Sequence, residues 1–254
     1  MFFLVLLIGF CIGSFLNVLI YRLPRGLTVI KGRSFCPKCK KRIIWYDNVP
    51  LFSFFILRGR CRFCKKRISF RYPFVELLTG ILFVLAAFRL GDLGNLSYLS
   101  HLVVDWALIS ALIVVFFTDL ENQIIPDQII FLAIFSSSLS SLITNYKLLI
   151  TSFLPAATIS ALFFWSLYLI TKGKGMGFGD VKLAFLIGLV LGFPNAVIAF
   201  YLAFLTGAIV GVILILVKKV KFGQQISFGP FLATATLVTI FFGNRILCFL
   251  KNFF

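Results

Sequence analysis

Acidic residues are scarce in this chain of 254 residues, which has only eight Asp and Glu against 25 Lys and Arg. It has one histidine, His101, and no Gly-x-Ser-x-Gly, His-Glu-x-x-His or Walker glycine motif. These absences exclude the usual parts of a serine hydrolase, a histidine-ligated zinc protease and a P-loop nucleotidase. With so few carboxylates, each one at the boundary of an apolar segment is a candidate functional group.

Long hydrophobic runs dominate the chain: 61% of its residues are hydrophobic and its mean hydropathy is +1.06. A membrane-spanning helix needs about 20 consecutive apolar residues. We predict an all-α polytopic membrane protein with about eight transmembrane helices, the first of which lacks the charged front and cleavage site of a signal peptide. The predicted spans are 2–20, 73–90, 101–118, 127–144, 148–171, 180–193, 196–217 and 228–248.

The basic residues are strongly clustered, since 15 of the 25 lie between Arg22 and Arg71, where Asp47 is the only acid. Because basic loops remain in the cytoplasm, this distribution predicts that the N-terminus is outside and the 22–72 loop inside. The same span count puts 119–126, 172–179 and 218–227 inside. Attraction to anionic lipids explains the positive charge, so the bilayer is an expected partner and nucleic acid is not.

Two Cys-x-x-Cys pairs, Cys36 with Cys39 and Cys61 with Cys64, lie in this basic loop. Their separation is close to that of four-cysteine zinc sites. A reducing cytoplasm favours metal-bound thiolates, and four of them make a closed structural zinc site. A redox pair or a disulfide is the alternative. The predicted domains are the first transmembrane helix (1–21), a cytoplasmic tetracysteine domain (22–72) and a transmembrane core (73–254).

Two carboxylates stand out by their positions. Asp119 ends the third apolar segment and Asp180 begins the sixth, so the predicted topology brings both to the cytoplasmic face. Asp180 follows Gly177 and Gly179, which would let a substrate backbone approach closely. Two neighbouring carboxylates can share one proton and activate a water, which predicts a catalytic pair. The simpler alternative is that Asp180 caps a helix and Asp119 marks the membrane boundary.

Glu121 and Asp127 compete with Asp119 for the second catalytic position. Pro126 followed by Asp127 is typical of a helix start, where an acidic side chain interacts favourably with the positive end of the helix. Glu121 lies two residues beyond Asp119, so the two side chains would point apart on a helix. Asp119 is therefore the preferred partner of Asp180.

The remaining polar residues of the spans have open roles. Asp105 could lie near the outer headgroups, pair with His101 or bond to another span, and we assign it no chemistry. Glu76, at the start of the second span, is either structural or in contact with a cofactor or a substrate amine. Gly13 is interpreted as a packing residue and Asn17 as an interhelical hydrogen-bonding residue.

Sequence blocks spread over most of the chain resemble the prepilin peptidase family, the type IV leader peptidases of the GxGD aspartic class. These blocks are 9–24, the tetracysteine loop, 72–80, 119–127 and 175–180. The resemblance implies that Asp119 and Asp180 are the catalytic aspartates. The family often has Asp where this chain has Glu121, a departure that leaves the pair intact.

The resemblance implies an enzyme of the bacterial cytoplasmic (inner) membrane that cleaves the basic leader of type IV prepilins and pseudopilins after a glycine, on the cytoplasmic side. The full cysteine loop implies the bifunctional form, which then methylates the new N-terminal residue with S-adenosylmethionine. Two other classes stay open. One is a polyprenyl-diphosphate transferase using Mg²⁺, and the other is a non-enzymatic transporter or zinc-ribbon scaffold.

Overall fold

The computed structural model describes residues 2–29, 32–90, 96–173, 175–219 and 226–253. Within these ranges the chain is helical, and β structure is limited to two isolated bridges. The prediction of an all-α protein is confirmed. The α-helices of these ranges are α1 (Phe2–Arg22), α2 (Phe52–Ile56), α3 (Arg71–Leu90), α4 (Leu96–Asn122), α5 (Asp127–Leu148), α6 (Leu154–Ile170), α7 (Phe178–Leu191), α8 (Asn195–Leu216) and α9 (Gly229–Phe253).

Six helical segments of the described ranges are long and apolar enough to cross a membrane. They are Phe2–Arg25, Arg71–Arg89, His101–Asn122, Tyr146–Ile170, Asn195–Leu216 and Gly229–Phe249. The predicted span 127–144 lies within α5, a helix of 22 residues, and the predicted span 180–193 corresponds to the 14-residue α7. A polytopic membrane architecture is therefore confirmed, and the count of eight spans stays a prediction.

The chain divides into two compact units, Met1–Val114 and Val115–Phe254. In the first unit, α1 packs closely on α3 through small residues. A Cβ atom added at Gly9 would lie 2.6 Å from the Cα of Gly80, and one added at Gly13 would lie 2.7 Å from the Cα of Glu76. Such contacts need glycine because the two backbones approach directly. The interpretation of Gly13 as a packing residue is confirmed.

Helix α3 also contacts the part of α4 that belongs to the first unit. The rings of Phe83 and Trp106 stack with their centroids 4.7 Å apart, and the Trp106 indole N–H donates to the Phe83 carbonyl. Arg89 Nη1 lies 3.9 Å from Asp105 Oδ2. Of the three environments considered for Asp105, the structure therefore shows a contact with another span.

In the second unit, α6 and α7 pack backbone to backbone. A Cβ atom at Gly188 would lie 2.6 Å from the carbonyl oxygen of Ala156. Leu183 and Ala184 of α7 are fully buried. This close contact fixes α7, and with it the position of the residues at its N-terminal end. The glycine-rich motif begins in the loop before α7 and ends at Asp180, in the first turn of that helix.

Candidate active site and metal site

Asp119 and Asp180 lie in one cavity of the second unit. Asp119 belongs to the last turn of α4 and Asp180 is the third residue of α7. Each is only 5% exposed, and both line a cavity of about 180 Å³. The two carboxyl groups are near enough to interact electrostatically. The structure thus brings the two predicted carboxylates close enough to interact in a site shielded from solvent.

Asp119 is held by the start of α9. The backbone N–H of Gly229 donates to Asp119 Oδ2 at 2.9 Å, and the Ser227 hydroxyl donates to the Asp119 carbonyl at 2.8 Å. A Cβ atom at residue 229 would lie 2.5 Å from the same carboxylate oxygen. Glycine is therefore required here for space, so that the helix N-terminus can reach the acid.

Sequence reasoning missed Gly229 and Ser227. The only local signal is the Gly229-Pro230 pair, since Pro near the first position marks a helix start. That signal locates the end of a helix and does not identify the side chain which the helix end contacts. Gly229 is 110 residues from Asp119 along the chain, so the contact exists only in the folded structure.

The two carboxylate oxygens of Asp180 have different environments. Oδ2 accepts a hydrogen bond from the backbone N–H of Gly177 at 3.0 Å. The N-cap residue of α7 is Gly177, so Asp180 reaches back to cap the helix from its third position, as the acidic residue of a capping box does. Oδ1 is buried and has no partner in the described residues. Capping therefore accounts for only one of the two oxygens, and the other is available to a ligand.

The glycines of the motif line the same cavity, but they differ in the space around them. A Cβ atom at Gly179 would lie 3.0 Å from the Cβ of Ile125, whereas one at Gly177 would have no atom closer than Asp180 Oδ2 at 3.7 Å. Gly179 thus has a packing role against Ile125. That a substrate backbone approaches at Gly177 and Gly179 stays a prediction.

The competing carboxylates lie outside the cavity. Glu121 and Asp127 are exposed, and neither lines the cavity that holds Asp119 and Asp180. Asp127 is the first residue of α5, as its position after Pro126 predicts. It accepts a hydrogen bond from Lys182 Nζ at 2.7 Å. Of these three carboxylates, Asp119 is the one that lines the cavity with Asp180.

The four cysteines of the basic loop come together in the first unit and are called the tetracysteine cluster. They are Cys36, Cys39, Cys61 and Cys64. Their sulfur atoms all lie within 4.8 Å of one another, a spacing compatible with one metal ion. Four thiolates are the donor set of closed, structural zinc sites. The cluster could therefore hold zinc.

The cluster is built from two similar turns. The Cys36 N–H donates to the Lys41 carbonyl and the Cys61 N–H donates to the Lys66 carbonyl. An isolated bridge closes each turn. Hydrogen bonds from the backbone of Cys64 and Phe63 lower the pKa of the Cys61 thiol to about 7, whereas burial and the neighbouring thiols of Cys36 and Cys64 raise the pKa of Cys39 to about 11.

Glu76 lies in the first unit, on the first turns of α3, and is 8% exposed. Its Oε2 accepts a hydrogen bond from the Leu51 N–H at 2.8 Å. Asn17 of α1 donates from Nδ2 to the carbonyl of Tyr72 on α3 at 3.1 Å. The prediction that Asn17 makes an interhelical hydrogen bond is confirmed. Both Glu76 and Asn17 line a second cavity, of about 420 Å³.

Comparison with known proteins gives two family matches. Residues 7–90 match the Bacterial Peptidase A24 N-terminal domain, and residues 106–212 match the Type IV leader peptidase family. The first match contains the tetracysteine cluster and Glu76, and the second contains Asp119 and Asp180.

Curated relatives cover nearly the whole chain. A prepilin leader peptidase/N-methyltransferase of Aeromonas salmonicida is 35% identical over 96% of this chain and 91% of its own length. Proteins of the same name from Pseudomonas putida and Bacillus subtilis are 32% and 33% identical over 94% and 95% of this chain and 90% and 94% of their own lengths. No solved structure matches the chain.

Proposed function

Since this chain belongs to the type IV leader peptidase family, we propose that it is a membrane aspartic endopeptidase that removes the leader of prepilins and pseudopilins. The catalytic pair in this proposal is Asp119 and Asp180. One observation carries it: two carboxylates, each 5% exposed, line the same cavity. Family membership leaves the transferase, transporter and scaffold alternatives without support.

The proposed chemistry follows from the pair being confined together. Two close carboxylates cannot both ionise freely, so the pair retains one proton. The ionised member takes a proton from water, whose oxygen bonds to the scissile carbonyl carbon. The protonated member donates to the carbonyl oxygen. The C–N bond then breaks as the first carboxyl gives its proton to the departing amine and the second carboxylate takes one from the gem-diol, which leaves a carboxylic acid and restores the pair. General acid and base catalysis of this kind contributes about 10²–10⁴-fold.

The described contacts suit this chemistry. The Gly229 N–H holds Asp119 Oδ2, so the orientation of this carboxylate is set before substrate arrives. Asp180 Oδ1 accepts no hydrogen bond from the described residues, which makes it the candidate to contact the water or the carbonyl. The cavity thus contains one carboxylate held in place, Asp119, and one carboxylate oxygen open to a ligand, Asp180 Oδ1. An aspartic mechanism requires both.

The proposed substrate is a prepilin with a short basic leader, a cleavage site after glycine and an apolar helix. The leader is expected on the cytoplasmic side of the bacterial inner membrane, with the N-terminus of this chain outside. Because the 22–72 segment is also basic, charge attraction to it cannot drive docking. Anionic lipid headgroups would hold both the enzyme and the leader near the surface.

We further propose that this chain methylates the new N-terminal amine with S-adenosylmethionine, since its relatives are named leader peptidase/N-methyltransferase. When bound, this cofactor supplies a methyl group on a positively charged sulfur. The tetracysteine cluster is proposed to hold a structural zinc ion that keeps the cytoplasmic domain (22–72) folded. Residues 73–254 would form the transmembrane peptidase core.

The test is mass spectrometry of a prepilin incubated with the purified chain, with and without S-adenosylmethionine. Loss of the leader mass is expected, with an added methyl mass when the cofactor is present. Asp119→Asn and Asp180→Asn should each lower the cleavage rate by at least about 100-fold. Asp127→Asn is the matched control, because it removes an exposed carboxylate outside the cavity. Cleavage at the wild-type rate by Asp119→Asn or Asp180→Asn would refute the assignment of the catalytic pair.

A further inference from the structure

Helix α2 carries most of its apolar side chains on the outside of the first unit. Phe52, Phe55 and Ile56 are three and four residues apart, so they share one face of the helix. They are 62%, 71% and 74% exposed, and none of them lines the larger cavity of this unit. Exposed apolar patches of this kind mark sites that another molecule or a membrane covers. The described residues leave this face open.

The other two residues of α2 face the protein. Ser53 is buried, and its hydroxyl donates to the carbonyl of Tyr46 at 3.0 Å. The ring of Phe54 packs edge-on against that of Phe70, with the centroids 6.1 Å apart. A helix whose surface meets water turns its apolar residues inward and its polar residues outward. Helix α2 has the reverse arrangement, which is favourable where an apolar medium covers its outer face.

The contacts of α2 place it at the level where a membrane span begins. The N–H of Leu51, the residue before α2, donates to Glu76 Oε2 at 2.8 Å. Glu76 is five residues into Arg71–Arg89, a segment long and apolar enough to cross a membrane. Because a helix rises about 1.5 Å per residue, Glu76 lies about 7.5 Å beyond the start of that segment. Helix α2 therefore lies beside the first turns of a membrane-spanning helix, at the depth where interfacial helices bury their apolar faces.

The residues next to α2 suit a membrane surface. Arg58 and Arg60 follow the helix by two and four residues and are exposed. Trp45 is exposed as well, and it is joined to Tyr46, whose carbonyl binds Ser53 of the helix. Arginine near a membrane surface is attracted by anionic headgroups, and tryptophan is enriched at the boundary between membrane and water. The partner that fits an apolar face with these neighbours is an anionic lipid bilayer.

A protein partner fits this face less well. A second copy of this chain would bring the same basic segment against itself, because 15 of the 25 Lys and Arg residues lie between Arg22 and Arg71. The proposed prepilin leader is basic too. Like charges brought together across an interface oppose binding. An anionic bilayer has the opposite charge, and it is continuous with the lipid around α3.

We propose that α2 is an interfacial anchor. Phe52, Phe55 and Ile56 insert into the bilayer at the end where α3 begins, and Arg58 and Arg60 bind anionic phospholipid headgroups. The anchor holds the tetracysteine cluster at the membrane surface by a contact separate from α1 and α3, the two helices that flank it in the chain. It concerns lipid binding, so it does not rest on either activity of the proposed function.

Photocross-linking in a lipid bilayer tests the insertion. The photoreactive residue p-benzoylphenylalanine, which bonds to nearby C–H groups under ultraviolet light, is incorporated in place of Phe55. The full chain is reconstituted in nanodiscs of phosphatidylcholine and phosphatidylglycerol. We expect the peptide that contains α2 to gain the mass of one phospholipid. Phe54 is the matched control, because the same replacement there faces the protein and should form its cross-link within the chain, without the lipid mass.

Three results would overturn the anchor. A cross-linked dimer through residue 55 would show that a second copy of the chain covers the face. A cross-link to added prepilin would show that the face binds substrate, and an unmodified residue 55 would show that the face meets water. The same label at Ile56 repeats the test at a second exposed position, and thermal melting of each labelled protein shows that it is folded.

The composition of the lipid adducts tests the role of charge. The ratio of phosphatidylglycerol to phosphatidylcholine among the adducts at residue 55 should exceed that of the bilayer by about 5-fold for each arginine. Arg58→Gln combined with Arg60→Gln should return this ratio to that of the bilayer and leave adducts in place, because the apolar face is unchanged. Adducts already in the bilayer ratio with both arginines present would overturn the assignment of Arg58 and Arg60 to anionic headgroups.

Discussion

Replacement of Gly229 by alanine tests whether the start of α9 fixes the position of Asp119, one of the two proposed catalytic residues. A Cβ atom there would lie 2.5 Å from Asp119 Oδ2, 3.1 Å from its Cγ and 3.3 Å from its Cβ. Rotation of the carboxylate cannot relieve all three contacts, because Asp119 is 5% exposed and packed on other sides. The acid must therefore move, and its hydrogen bond from residue 229 lengthens or breaks.

The expected loss of activity follows from the energy of that hydrogen bond. A hydrogen bond to a charged group is worth about 1.5–3 kcal/mol, and each 1.4 kcal/mol or so of lost transition-state stabilisation is tenfold in rate. We therefore expect Gly229→Ala to lower kcat/KM for prepilin cleavage by roughly 10- to 100-fold. The melting temperature is measured in parallel, because the same clash with a buried side chain also costs stability.

The assay is the rate of leader release, followed by mass spectrometry on purified protein in detergent. Gly211→Ala is the matched control, because a Cβ atom at Gly211 would meet only the Cδ1 of Ile226, at 3.9 Å. That variant should cleave at the wild-type rate. Wild-type kcat/KM in Gly229→Ala would refute the argument, because it would show that the position of Asp119 is not set by this contact.

Three other outcomes follow from the same structure. Replacing all four cysteines of the tetracysteine cluster by serine should remove about one zinc ion per chain, as measured by elemental mass spectrometry. It should also expose residues 32–70 to protease. An unchanged digestion pattern would argue against a structural metal. Gly188→Ala should destabilise the second unit by about 1–3 kcal/mol, because the added Cβ atom would meet the backbone of α6. A melting temperature equal to that of Gly211→Ala would contradict this packing. Asp127→Asn breaks a partly exposed ion pair with Lys182, so the free energy of unfolding should change by less than about 1 kcal/mol. A larger change, measured from the melting curve, would mean that the pair stabilises the protein more than an exposed ion pair does.

Much of the architecture could be predicted from local sequence. Apolar runs of bilayer length specify helices, because a backbone in lipid must satisfy its own hydrogen bonds. The helix start at Asp127 follows from the proline before it. The two Cys-x-x-Cys pairs, at Cys36 and Cys61, predicted one cluster because their spacing suits a single metal ion. These features depend on residues near one another in the chain, where sequence patterns are informative.

The choice of Asp119 over its neighbours also came from sequence, through helix geometry. Glu121 was expected to point elsewhere, and the structure has it exposed and outside the cavity. The short sixth span was also predicted from the sequence, since 180–193 has as many residues as the 14-residue α7. The bounds of that helix differ from the predicted ones by two residues, because hydropathy records how apolar a run is and the fold decides where its helix begins and ends.

By itself the sequence determined the class of protein, its helices, its cysteine cluster and its two candidate carboxylates, Asp119 and Asp180. Each of these features can be recognised in short runs of residues. Only the tertiary structure decided that Gly229 holds Asp119, that one oxygen of Asp180 is left without a partner among the described residues, and that Glu76 and Asn17 line one cavity. The physical reason is that these facts depend on how separate helices pack. Hydrogen bonds and close contacts between helices arise from three-dimensional distance, and residues 110 positions apart can meet only when the chain has folded.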